Sequence, residues 1–358
     1  MAAKTSIPGL FGQPKGRSSR DYTKERFWGK NQFNSSFPVS LVAYMHSKAL
    51  KLAYLRTNGD NEIEHDEIGA DVLLGIDPLD ENTYYNYEAG FAPYEDFYVG
   101  DREKIDLVVA DKSNRNMPLV GLEIKLTALP DNSTKNRENS EQGCEIVVRP
   151  PTICFLACSI CSCYPTGEGR DRLRNLLNSV PQINHWEEAD EVSPHYDKIE
   201  AAVLAVSNDM QDRQKPLVLQ PIWKTEGAKM RLAEDCLDCF VWSDLALLNL
   251  CIAQTGTPGM SRFKRTVIWT YRMLFDYSVY GQFDYVRIIK LHSYDYANDK
   301  AFAVNGAITN PYLKSRELIC PRIKRQEIKY IILGGGQKFL SPERRFDAVL
   351  AASPEIFE

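Results

Sequence analysis

The chain has 358 residues, is 44% hydrophobic and 25% charged, and carries a net charge of −5. That composition suits a soluble globular protein with a sizeable core, in roughly two domains or one large one with insertions. No apolar run reaches the ~18 residues of a membrane helix, the N-terminal MAAKTSIPGLFGQPKGRSSR lacks a secretory apolar segment, and nine cysteines, an odd number, fit a reducing compartment better than a disulfide framework.

Together these features predict a cytoplasmic protein with no membrane contact. The acidic balance does not mark a general nucleic-acid binder, but a local basic cleft is compatible with it.

Residues 1–36 are rich in Gly, Ser, Asn, Arg and Lys and poor in aliphatics, which reads as an arm rather than a packed element. Pro38–Leu55 predicts a helix, with Pro38 in its first turn and apolar residues at 41, 42, 45, 49, 52 and 55. Residues 58–68 are acidic and turn-like. Ile68–Ile76 is a short strand or helix, and residues 80–98 are aromatic and polar without a clean period.

Ile105–Ala110 and Leu119–Leu126 read as strands. Residues 130–143 read as a polar loop, Glu145–Arg149 as a third strand, and the cysteine-rich run after Pro150-Pro151 as a helix. Asp171–Leu177 and Ile199–Met210 are predicted helical, with a polar connection over 180–196. Leu217–Trp223 is a predicted strand. Arg231–Gln254 and Phe263–Tyr280 are predicted helices, and Tyr285–Leu291 and Glu327–Leu333 predicted strands. Gly334–Gly336 is a turn and Pro342–Ala351 a closing helix. The expected fold class is α/β, a mixed central sheet flanked by helices. The expected organisation is an arm (1–36), a core (37–170) and a continuation (171–358) that shares the core or forms a second unit.

The two central strands carry the chemistry. They read Ile-Asp-Leu-Val-Val-Ala-Asp and Leu-Val-Gly-Leu-Glu-Ile-Lys, joined by a polar turn over residues 112–118. Glu123 and Lys125 are two apart, so a strand points both to one face. Charged side chains are costly on a strand this apolar unless something uses them.

Asp106 from the neighbouring strand completes two carboxylates and a lysine, a minimal set for Mg²⁺-dependent phosphodiester cleavage. Asp106, Glu123 and the Ile124 carbonyl would hold the ion, and Lys125 would face the scissile phosphate or the attacking water. Asp111 is a rival first acid, but its position at a strand end marks a turn former. Glu88, just upstream, is an additional ligand candidate. The bare pattern is short and recurs by chance. What distinguishes it here is the apolar flank on both sides of Glu123-Ile-Lys125.

These residues resemble the PD-(D/E)xK nuclease superfamily, with Ile105 where the nominal proline stands. Three segments are similar to the HindVP/HgiDI group of type II restriction endonucleases: WGKNQFNSSFPVSLVAYMHSKAL (28–50), GLEIKLTALPDNST (121–134) and EIVVRPPTI (145–153). The resemblance implies a restriction-endonuclease-like core. It also implies a homodimer that uses Mg²⁺ to cut double-stranded DNA at a short palindrome, GRCGYC for this group, leaving 5′-phosphates. A cognate DNA methyltransferase is then a functional partner. The family's active-site roles fall on Asp106, Glu123 and Lys125.

DNA contacts call for Lys and Arg on phosphates and Arg, Lys, Asn and Gln in the grooves. The N-terminal segment offers Arg17, Arg20, Lys24, Arg26, Lys30, Asn31, Gln32 and Asn34. Lys112, Arg115, Lys135 and Arg137 flank the proposed chemistry in sequence. A second basic cluster is Arg316, Arg322, Lys324, Arg325 and Lys329, which a solvated face explains equally well.

Two other readings remain from sequence alone: a repair or junction-cleaving nuclease of the same superfamily, and a zinc-stabilised DNA-binding protein without catalysis. The second rests on Cys158-x-x-Cys161 and Cys236-x-x-Cys239. The first of these pairs lies in ICFLACSICSCY, where cysteine behaves as a small buried apolar residue. The five histidines lack ligand spacing, and no Gly-x-Ser-x-Gly elbow or phosphate-binding P-loop is present.

Overall fold

The computed structural model describes residues 39, 41–100, 103–114, 117–125, 127–128, 146–223, 235–256, 259–294, 302–304 and 323–324. The N-terminal arm, the 130–143 segment, Glu327–Leu333, Gly334–Gly336 and Pro342–Ala351 lie outside them.

A mixed sheet organises the chain. Its strands are β1 (Leu52–Thr57), β2 (Ile63–Ile68), β3 (Thr83–Ala89), β4 (Ile105–Asp111), β5 (Pro118–Ile124), β6 (Thr127–Ala128), β8 (Pro216–Trp223), β9 (Asp235–Ser243) and β11 (Ile323–Lys324). The order across the sheet is β2-β1-β9-β8-β5-β4-β3, with β6 beside β8 and β11 beside β9. The β1–β9 and β5–β8 pairs are parallel; β2–β1, β9–β8, β5–β4 and β4–β3 are antiparallel. A separate ribbon pairs β7 (Ile146–Val148) with β10 (Phe302–Val304).

Alternation along the strands feeds two cores. Leu107, Val109, Leu122, Ile124, Leu219 and Val241 pack on one face beneath the helical residues 41–47 (α1) and α2 (Ala70–Leu74). Val108, Val218, Phe240 and Trp242 pack on the other. That second face is covered by α4 (Pro150–Cys161), α5 (Gly167–Leu177), α7 (Tyr196–Asp209), α8 (Asp244–Ile252), α9 (Arg262–Tyr280) and α10 (Tyr285–Leu291). The short helices α3 (Ala92–Glu95) and α6 (Ala189–Val192) complete the set. Helix α4 is buried all round from Thr152 to Cys161, as expected of a helix at the centre of a core. Its cysteines are core atoms: Cys154, Cys158 and Cys161 are fully buried, and burial pushes the Cys158 and Cys161 thiols up.

Several sequence expectations change. The Pro38–Leu55 helix stops at residue 47. Ala49 turns the chain at φ +54°, and Leu52–Thr57 becomes a strand with partners on both sides. A buried strand and a helix give the same apolar run, so periodicity did not separate them.

The acidic 58–68 segment supplies β2, an edge strand whose charges guard it against further pairing. The Arg231–Gln254 helix is instead a strand, β9, followed by α8. Ser243 divides them by accepting the Ala246 N–H as an N-cap. Tyr285–Leu291 is helical rather than extended, because Asp284 caps it by accepting the Arg287 N–H.

His292 follows α10 and is buried. Its Nδ1 lies 2.9 Å from the Trp186 carbonyl, to which it donates as the neutral ring. Burial holds its pKa down, to about 4. The unfolded chain therefore takes up a proton near pH 6.5 that the folded chain refuses, so stability falls as pH drops from 6.5 to 4. Denaturant unfolding at pH 7 and pH 4.5 should give a loss about 2 kcal/mol larger for the natural chain than for His292→Gln. Equal losses would contradict this.

Candidate active site

The β4–β5 hairpin sets the site. Leu107 faces Leu122 and Val108 faces Gly121, so the same register carries Asp106 opposite Glu123. On the other side of β4, Tyr87 faces Leu107 and Ala89 faces Ile105, which brings Glu88 opposite Asp106. Opposed residues on neighbouring strands share a face with Cβ atoms about 5 Å apart. Glu123 lies between Leu122 and Ile124, both in the opposite core, so it points to the α4 face.

Each acid is held by named donors. Asp106 Oδ2 accepts the Ile124 N–H at 2.8 Å. Glu123 Oε1 accepts from Lys125 Nζ and from Thr152 Oγ1, the latter at 3.4 Å. The Lys125 N–H donates to the Leu219 carbonyl at 2.9 Å, which continues the β5–β8 pairing past the end of β5. The side chains of Lys125 and Glu123 are only 10% and 11% exposed. Among the described residues, Asp106 Oδ1 and Glu123 Oε2 receive no donor.

The electrostatics are strained. Burial, then the Glu123 charge, pushes the Asp106 carboxyl up to about 7, with Glu88 adding to the effect. Lys125 and the Ile124 N–H pull it down without cancelling the rise. Glu88 sits at φ +47°, a left-handed conformation that is costly for a residue with a side chain. A buried and a half-buried hard-oxygen donor with excess negative charge are a set that fits a divalent cation such as Mg²⁺. Among the described residues no three His, Cys, Asp or Glu form a metal-ligand group. A cation here would draw its other ligands from main-chain oxygens, such as the Ile124 carbonyl, and from water.

Asp111 closes the hairpin turn, where its Oδ1 accepts the Ser113 N–H and hydroxyl. These bonds hold its carboxyl below the usual range. Lys112 is at the far end of β4, roughly 20 Å from Asp106 at about 3.4 Å per residue. Its Nζ donates to the Glu81 carbonyl. Arg17, Arg20, Lys24, Arg26, Lys30, Asn31, Gln32, Asn34, Arg115, Lys135 and Arg137 lie outside the described residues, as do Arg316, Arg322, Arg325 and Lys329.

The sequence reading missed two neighbours. Thr152 lies in what looked like a purely apolar run, and only its three-residue distance from Arg149, a capping-box spacing, could have singled it out. Gln220 is fully buried on β8. The parallel register (Glu123 with Val218, Ile124 with Leu219) puts it beside Lys125. A glutamine inside an apolar strand was the available signal.

Comparison with known proteins decides the family. The model of the HindVP restriction endonuclease family matches residues 28–357. This chain belongs to the HindVP restriction endonuclease family. It is 40% identical to "Type II restriction enzyme HgiDI" of Herpetosiphon aurantiacus, over all of this chain and 99% of that protein. It is 39% identical to "Probable type II restriction enzyme HindVP" of Haemophilus influenzae, over 98% of this chain and 95% of that protein. No solved structure matches the chain.

The raised Asp106 carboxyl gives this HindVP-family chain a measurable signature. The folded state keeps a proton that the unfolded state has released, so stability is lost as pH rises from the ordinary carboxylate range through 7. In chelator, Asp106→Asn should raise Tm at pH 8 by roughly 1–2 °C, the effect of about 1 kcal/mol in a chain of this length, and by much less at pH 5. A lower Tm at pH 8 would contradict the assignment.

Proposed function

We propose that this type II restriction endonuclease uses Asp106, Glu123 and Lys125 to hydrolyse double-stranded DNA with Mg²⁺, at a short palindrome. The observation that carries the proposal is the convergence of Asp106, Glu123 and Lys125 from one hairpin, in a chain of this family. An antiparallel hairpin inside a mixed sheet, with an acid on one strand and Glu-x-Lys on the next, supports a PD-(D/E)xK core.

Asp106, Glu123 and the Ile124 carbonyl would hold Mg²⁺. The bound ion supplies Lewis acidity towards the phosphate and makes its water more acidic. The protein's own groups do the rest. Asp106 is fixed by the Ile124 N–H, which sets the direction of its other oxygen. Lys125, anchored on Glu123, presents a positive charge where charge grows on the scissile phosphate, and it orients the attacking water. In-line attack leaves a 5′-phosphate and a 3′-hydroxyl.

A palindrome offers the same half-site twice, which favours a two-fold homodimer with one site for each strand. The likeness to the HindVP/HgiDI group supports GRCGYC as the recognition sequence. It also implies a cytoplasmic enzyme whose host DNA is protected by a cognate methyltransferase. The N-terminal basic and amide side chains from Arg17 to Asn34 are proposed to contact the DNA.

Digestion of a sequenced linear duplex with Mg²⁺, followed by end sequencing, tests this reading. Discrete fragments ending within GRCGYC with 5′-phosphates are expected. Sequence-independent cutting, or none, would overturn it. Lys125→Ala should retain site-specific DNA binding and cleave about 10²–10⁴-fold more slowly, the range for a proton-handling group. Cleavage at the natural rate would remove Lys125 from the mechanism.

A further inference from the structure

Thr152 is fully buried in the first turn of α4, and its hydroxyl meets Glu123 from outside the sheet. Thr152 Oγ1 lies 3.4 Å from Glu123 Oε1 and 3.5 Å from the Arg149 backbone nitrogen. A hydroxyl has one proton to give and lone pairs to receive. The Arg149 N–H occupies a lone pair, which leaves the proton for the carboxylate. The two residues before Thr152 are Pro150 and Pro151, which carry no N–H. The start of α4 therefore reaches Glu123 through a side chain rather than through its first backbone donors.

We infer that Thr152 is a positioning residue for Glu123. Its hydroxyl and the Lys125 ammonium both meet Oε1, which would leave Oε2 for a cation. This rests on the reading of Asp106 and Glu123 as the cation-binding pair. It assigns the helix start a task that the sheet alone does not perform, because Lys125 is needed at the phosphate and cannot be the sole tether of Glu123.

The test compares Thr152→Val, which keeps the shape and loses the hydroxyl, with Thr152→Ser, which keeps the hydroxyl. Thr152→Ala is a second hydroxyl-free variant, without a second methyl to misfit. Two midpoints are measured: the Mg²⁺ concentration for half-maximal single-turnover cleavage, and the Mn²⁺ concentration for half-maximal thermal stabilisation of the protein without DNA. Thr152→Val and Thr152→Ala should raise both midpoints about tenfold, the low end for a group behind a metal ligand, and Thr152→Ser should stay within about twofold of the natural chain. Specific DNA binding in chelator should not change.

Unmoved midpoints in the hydroxyl-free variants would overturn the inference, as would a serine variant as impaired as valine. Asp106→Ala separates this failure from a deeper one. If Asp106→Ala loses ion-induced stabilisation while Thr152→Val keeps it, only the role of Thr152 falls. If Asp106→Ala keeps both cleavage and stabilisation, the acid pair itself is misassigned.

Discussion

The register of one hairpin governs the site. Because Leu107 faces Leu122, Asp106 and Glu123 come opposite each other on the α4 face, and the Ile124 N–H meets the Asp106 carboxylate. A slip of one residue would turn every side chain of the strand to the other face and would send Glu123 and Lys125 into the apolar core beneath α1. The alternating packing of Leu107, Val109, Leu122 and Ile124 forbids that slip. The hydrophobic pattern thus fixes more than stability: it decides where the charges go.

The acid pair is crowded at a cost. Burial and mutual repulsion push Asp106 up, and the strained backbone at Glu88 adds a third acid to the same neighbourhood. Stability alone would favour neutral residues there. Proteins keep such arrangements where a ligand resolves the conflict, and a divalent cation would suit two neighbouring carboxylates. The surrounding structure is rigid enough to hold the conflict in place. Helix α4 is buried from Thr152 to Cys161, and β5 has partners on both sides.

Much of this was legible in the chain itself. The Asp106 strand and the Glu-x-Lys strand stand out because charge interrupts an apolar run, and the turn between them is marked by polar residues. Their pairing and shared face follow from the period of a strand. Other features were not legible for physical reasons. Leu52–Thr57 reads as the end of a helix because a buried strand and a buried helix are equally apolar. The change from β9 to α8 hinges on one cap, Ser243, inside a long apolar stretch. Tyr285–Leu291 looks extended by composition, and Asp284 decides otherwise. Thr152 and Gln220 reach the site through tertiary packing and parallel pairing across nearly a hundred residues, which no local pattern encodes.

The central claim is that Asp106 and Glu123 share one cation beside Lys125. The most direct measurement is anomalous diffraction from crystals of the protein with Mn²⁺ and a duplex containing GRCGYC. The account predicts an anomalous peak bridging Asp106 and Glu123, within ligand distance of both and next to a DNA phosphate that Lys125 approaches. A peak held by other residues, or a scissile phosphate remote from this hairpin, would contradict it.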